Sequence, residues 1–174
     1  MFKASLGTSI KVTTIIIVVL LVSIILLLFF LFIISLLSNK FENKDVMMPI
    51  LAFGIFGVLL YTFNQRIKGY NVSTEGIKVI KRKGSDFIKK ETIVELKPIT
   101  YKDIRFSIRT FGIGGVFSMS GSFTNNKFGD MTWYITRKDS LLMIITQKEK
   151  FVISPDAPQD FIKEVEKLLN ENPA

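Results

Sequence analysis

The chain has 174 residues and a formal net charge of +8, and it contains neither Cys nor His. Those two absences exclude disulfides, thiolate metal sites and cysteine nucleophiles, and they remove the usual general base and the commonest metal ligand. A metal site would have to be built from Asp and Glu, and no EF-hand-like spacing of them is present.

Residues 1–13 read as a short cytoplasmic N-terminus carrying Lys3 and Lys11. Thr14 to Leu37 then run for 24 residues without a charge. A helix of that length spans about 36 Å at 1.5 Å per residue, against a bilayer core of about 30 Å. The run is too long for the apolar core of a signal peptide, and no A-x-A cleavage site follows it. It predicts a first transmembrane helix. Residues 38–45 form a polar external turn in which Lys40 and Lys44 offset Glu42 and Asp45. Val46 to Phe63 give a second uncharged run of 18 residues, with Pro49 in its first turn. Ala52, Gly54 and Gly57 offer small surfaces for close approach to the first helix. Lys3 and Lys11 precede the first span and Arg66 and Lys68 follow the second, so both termini are expected in the cytoplasm.

From Asn64 onward 111 residues remain, enough for one domain with its own core. Residues 64–69 read as a linker and 70–170 as the domain, with 171–174 as a tail. Tyr70, Val72 and Thr74 alternate, Glu75-Gly76 reads as a turn, and Ile77 and Val79 resume the alternation. Lys81 to Asp86 make a basic turn. Further strands are expected at Ile93–Leu96, Ile104–Ile108, Met131–Thr136, Leu141–Thr146 and Phe151–Ser154, with Gln147 to Lys150 as a hairpin turn. About seven antiparallel strands in succession, with no helix between them, predict a mainly-β sandwich or barrel. A C-terminal amphipathic helix closes the domain, with Asp156 as N-cap, Gln159 as its capping-box partner and Pro158 in the first turn. Its stripe of Phe161, Ile162, Val165, Leu168 and Leu169 fits a cover over one end of the β core.

Charge is unevenly placed. Between Arg66 and Arg109, 12 Lys and Arg stand against 5 Asp and Glu, whereas from Thr110 to the end 7 stand against 8. The basic half is the half joined to the membrane. Two readings meet here: attraction of Lys81, Arg82, Lys83, Lys89 and Lys90 to anionic headgroups, or the bias of Lys and Arg to the cytoplasmic side.

Thr110 to Gly129 hold five Gly among large apolar residues. The stretch lacks the Lys and the following helix of a phosphate-binding P-loop, and no βαβ unit surrounds it. In one reading its glycines permit a sharply bent strand pair and its apolar residues fill the core. In the other, Phe117 and Met119 are exposed to lipid or a partner, flanked by Arg105 and Arg109 for phosphate or carboxylate.

Strands followed by one amphipathic helix give the element order of a pleckstrin-homology (PH) fold. The stretch Tyr70 to Arg82 and the later Ile99 to Ile104 resemble bacterial PH domains attached to membrane helices. The spacing of Arg109 to Gly115, Gly121 to Phe123, Gly129 before Trp133 to Thr136, and Ile153 to Asp156 before Phe161-Ile162 resembles one such family more closely. That resemblance implies a membrane-tethered, non-catalytic binding or assembly module without a cofactor. The basic K-x-R spacing of phosphoinositide-binding PH domains is missing from Lys81 to Lys90, so phosphoinositide specificity is not implied. The partners expected are the bilayer, anionic lipid headgroups and a protein partner or second copy, but not nucleic acid. An enzyme would need a Ser/Lys pair or carboxylates, and no such constellation stands at a meaningful spacing.

Overall fold

The computed structural model describes residues 1–38 and 41–170, the side chain of residue 113 excepted. Asn39 and Lys40 of the expected external turn, and the expected tail 171–174, lie outside the described residues.

Strand β1 (Phe2–Lys3) is followed by helix α1 (Thr8–Leu37), a 3-10 turn at Asn43–Val46, and helix α2 (Met47–Asn64). Both helices are long and apolar enough to cross a membrane. Apolar side chains cover α1 on every face, which suits lipid and leaves only intrahelical partners for its backbone. Ala52 is the fully buried residue of α2, and Phe29 meets Phe53 edge-on at 5.8 Å. Gly54 and Gly57 do not lie at this contact: a Cβ on either would meet nothing within 4 Å. At the far end of the hairpin, the Ser35 hydroxyl donates to the buried carboxylate of Asp45, which also accepts the Glu42 N–H.

The β domain contains β2 (Ile67–Ser73), β3 (Gly76–Lys81), β4 (Ser85–Lys89), β5 (Ile93–Ile99), helix α3 (Tyr101–Ile104), β6 (Ile108–Val116), β7 (Ser118–Asn125), β8 (Gly129–Ile135), β9 (Leu141–Thr146), β10 (Lys150–Ile153) and helix α4 (Pro158–Asn170). One sheet has the order β1-β2-β3-β4 and the other β5-β9-β10-β8-β7-β6. The expected seven antiparallel strands thus become two sheets of four and six. One pair, β10 with β8, runs parallel, because the β9–β10 hairpin folds back beside β8.

Three differences from the sequence expectation have local causes. The chain turns back after Lys83-Gly84, so Ser85 onward already forms β4, with Val79 opposite Asp86. The strand expected at Ile104–Ile108 is instead α3 and a turn. Thr100 and Asp103 form a capping box there, and Ile104 drops fully buried into the core. The Gly-rich stretch is the β6–β7 hairpin. Gly112 and Gly121 face each other with φ of 112° and 132°, and a Cβ on either would fall within 2.3 Å of a backbone carbonyl oxygen across the pair. Only residues without a Cβ allow the two backbones so close.

Two core clusters result. The first lies between the sheets and under α4, and includes Ile67, Tyr70, Ile77, Val79, Leu142, Ile144, Ile153, Phe161 and Val165. The second, around Met131, Trp133, Ile135, Met143 and Val152, fills the other face of the six-stranded sheet. Strands β5 and β6 form opposite edges of that sheet, yet only residues 100–107 join them, so α3 crosses this face and Ile104 seals it. Tyr70 holds the first cluster together. Its hydroxyl donates to the Tyr134 carbonyl and accepts the Ser154 N–H, and burial pushes its pKa up to about 12 despite the Ser154 bond.

The expected helix stripe lies on this core: Phe161, Val165 and Leu168 are buried. Asp156, however, does not cap α4. Its Oδ1 accepts the Ser5 N–H at 3.0 Å, the Ser5 hydroxyl at 2.7 Å and Arg137 Nη1 at 3.0 Å. The α4 backbone starts from Ala157, whose carbonyl accepts the Phe161 N–H.

Candidate surface site at the base of the helix hairpin

The residues before α1, which the sequence presents as a tail, are built into the β domain. Phe2 and Lys3 pair with Tyr70 and Gly69. The Phe2 ring meets Phe161 edge-on at 5.0 Å, and Ala4 is buried. Ser5 is held by Asp156, and the Gly7 N–H donates to the Thr136 carbonyl at 2.9 Å. Burial works against ionisation of Asp156, but the bonds from Ser5 and Arg137 prevail and hold its pKa below the usual carboxylate range. Arg137 in turn grips Asp139 through Nε and Nη2, both at 2.7 Å.

Helix α1 therefore starts inside the domain and leaves it through Ile10, 2% exposed, and Thr14, 6% exposed. Thr14 meets the tip of the β6–β7 hairpin, where its Oγ1 accepts the Phe117 N–H at 2.9 Å and reaches the Gly115 carbonyl at 3.4 Å. The tip is tight: Gly115 has φ 91° and Phe117 φ 62°, a left-handed conformation unusual for a bulky residue. The Phe117 ring packs edge-on against Phe63 in the last turn of α2, at 5.2 Å.

The second exit is held as closely. Only Gln65 and Arg66 separate α2 from β2, so half of the expected six-residue linker, 67–69, is strand and residue 64 ends α2. The β3–β4 turn docks on it: the Arg82 N–H donates to the Arg66 carbonyl and the Lys83 N–H to the Asn64 carbonyl. The Arg82 guanidinium lies 4.2 Å from the Phe63 ring centroid. Phe63 is thus packed against both Phe117 and Arg82.

Cations collect around these two exits. Lys11 stands exposed on α1 one turn before Thr14, Arg66 follows α2, and Arg82 and Lys83 occupy the docked turn. The Arg109 side chain folds along Gly114 near the hairpin tip, with Nη1 2.3 Å from where a Cβ there would stand. Among the described residues, none of these five makes an ion pair.

Of the residues singled out from sequence, Arg82, Lys83, Arg109 and Phe117 come together here. Lys81 lies beside them but is paired, 2.6 Å from Asp86 and 5.6 Å from the centroid of the Tyr134 ring. Lys89 and Lys90 stand at the opposite end of the β3–β4 hairpin, with Lys89 opposite Gly76. Arg105 stacks on its neighbour Phe106 next to α3. Met119 packs against the second core cluster, and Phe117 is half-buried against α2. Sequence reasoning missed Lys11, Thr14, Phe63 and Arg66. Lys11 and Arg66 had a signal, as the charges that bracket the apolar runs.

The geometry defines a class: a small β domain seated on the base of an apolar helix hairpin and gripped by both chain segments that leave it. Residues 68–169, more than half of the chain, match the family model of the bacterial PH domain, and the chain belongs to that family. Neither a curated protein nor a solved structure gave a match.

Proposed function

We propose that this chain is a membrane-anchored, non-catalytic binding module whose PH domain holds a basic collar against anionic lipid headgroups at the cytoplasmic face of a bacterial cell membrane. The observation that carries the reading is the docking of the β3–β4 turn on the end of α2, through Arg82 against Phe63 and Lys83 N–H to Asn64. With α1 and α2 in the bilayer, the end of each uncharged run marks the edge of the hydrocarbon. Lys11, Arg66, Arg82, Lys83 and Arg109 then stand at headgroup height. Excess Lys and Arg at both exits favours the cytoplasmic side, and an anionic surface attracts each such cation by about 1 kcal/mol.

The test uses the full chain in nanodiscs with spin-labelled phosphatidylglycerol or phosphatidylcholine. Phosphatidylglycerol should be enriched at the protein boundary at low salt, and the enrichment should fall as salt rises. Lys11→Gln/Lys83→Gln should weaken it about tenfold to thirtyfold, from about 1 kcal/mol per cation. Equal enrichment of both lipids at low salt would refute the reading.

A second reading, assembly through a sheet edge, is favoured by β6. This strand pairs on one side only, and Phe106, Ile108 and Phe111 stand 70–79% exposed on and just before it. Cross-linking in native membranes would then give a discrete higher-mass species that Phe111→Asp abolishes.

A further inference from the structure

We propose that the cleft between the N-terminal strand and the start of β2 binds the phosphate headgroup of a single anionic phospholipid. This deepens the collar reading and rests on it. The cleft has a volume of about 410 Å³ and is bounded by Met1, Lys3, Arg66, Ile67, Lys68 and Arg82, with no carboxylate in its lining.

The register gathers the four cations. A bulge interrupts the β2–β3 pairing between Ile67 and Gly69. Ile67 and Tyr70 are both fully buried in the core, so Lys68 turns to the outer face, where β1 covers Gly69. Lys3 stands opposite Gly69 on that face, and the Arg82 N–H bond to the Arg66 carbonyl brings the last two together. Among the described residues, none of the four makes an ion pair. Four like charges around one concavity repel one another, and a bound anion relieves that repulsion. Arginine and lysine donors converging on a pocket fit a phosphate group.

Position selects a lipid rather than a soluble phosphate. Arg82, one wall of the cleft, is the residue that lies over Phe63 in the last turn of α2. A phosphodiester at headgroup height reaches Arg82 and Arg66 with its acyl chains still in the bilayer. The opposite wall is β1, so an occupied cleft ties the N-terminal strand to β2, and binding stabilises that attachment.

The experiment uses the full chain in nanodiscs, with retained lipid counted by native mass spectrometry after transfer to detergent. One phosphatidylglycerol per chain should be retained, and phosphatidylcholine should not. Lys3→Gln/Lys68→Gln, two exposed cations outside the collar, should weaken retention about tenfold to thirtyfold, the effect of two cations near an anionic surface. Lys3→Arg/Lys68→Arg should restore it. Lys11→Gln/Lys83→Gln, collar residues outside the cleft, should leave the retained lipid in place while lowering salt-sensitive enrichment. Unchanged retention in Lys3→Gln/Lys68→Gln, or equal retention of phosphatidylcholine, would overturn the cleft. One retained lipid without any salt-sensitive enrichment in the unsubstituted chain would count against the collar and leave the cleft standing. A third arm identifies the source of the phosphate. Phosphatidylglycerol should slow proteolysis between residues 1 and 7, and inorganic phosphate added to purely zwitterionic nanodiscs should not. Protection by inorganic phosphate alone would overturn a lipid as the occupant.

Discussion

Gly69→Val is expected to unseat the N-terminal strand and destabilise the β domain by about 3 kcal/mol, the scale of losing one buried aromatic side chain. Gly69 is buried in the β1–β2 pair, and a Cβ on it would fall 2.3 Å from the Phe2 carbonyl oxygen and 3.0 Å from the Met1 methyl. The first of these contacts is with backbone, so the clash is relieved only when β1 moves away. Phe2 then leaves Phe161, Ala4 loses its cover, and the Ala4 N–H bond to the Lys68 carbonyl breaks. In detergent micelles the full chain should show a lower domain melting temperature and rapid proteolysis between residues 1 and 7. Gly69→Ala should have the same sign, because the Cβ alone makes the clash. A Gly69→Val chain that melts like the unsubstituted protein and keeps its N-terminus protected would show that β1 contributes nothing.

Phe161→Ala should cost about 3–5 kcal/mol, the usual range for removing a buried Phe. Phe161 is fully buried and meets two aromatic rings edge-on, Phe2 at 5.0 Å and Tyr70 at 6.1 Å. Its removal leaves a hole where β1, β2 and α4 converge. The domain should unfold at lower denaturant, and the N-terminal strand should become accessible to protease at the same time. Ile162→Ala is the control. That residue is only partly buried beside the same cluster, so its loss should cost less. Equal effects of the two substitutions would remove Phe161 from the centre of the core.

The two predictions share a cause that the sequence shows only in part. The two apolar runs are legible by their length, although α1 begins earlier, at Thr8, and the alternation of Tyr70 to Val79 and the stripe of α4 are legible by their period. Phe2-Lys3 has no such signal. A two-residue strand carries no period, and its place comes from pairing with residues almost seventy positions away. Asp156 misleads for a similar reason. Asp before Pro and Gln reads as an N-cap, yet a carboxylate serves the partners that tertiary structure brings to it, here Ser5 and Arg137. The Gly-rich stretch was legible as a bent strand pair from its glycines, but not as the element that meets α1. That contact depends on Thr14, a small polar residue at the edge of an apolar run.

The basic residues divide along the same line. Composition shows that positive charge collects in the half next to the helices. It does not show that the β3–β4 hairpin points its turn toward them, which separates Lys83 from Lys89. In the sequence Lys81 groups with its neighbours in the turn, and only the fold places Asp86 against it across the hairpin.

The depth of that hairpin tests the central claim most directly. The chain has no Cys, so Lys83→Cys and Lys89→Cys each provide one site for a spin label in the full chain. Lys83 stands in the turn before β4 and Lys89 ends that strand, at most about 20 Å apart along the chain. In anionic nanodiscs, the label at 83 should show collisions with the lipid-soluble relaxant oxygen and protection from a water-soluble nickel chelate. The label at 89 should show the reverse. Two labels with the same aqueous accessibility would contradict a domain that holds its basic turn on the membrane surface.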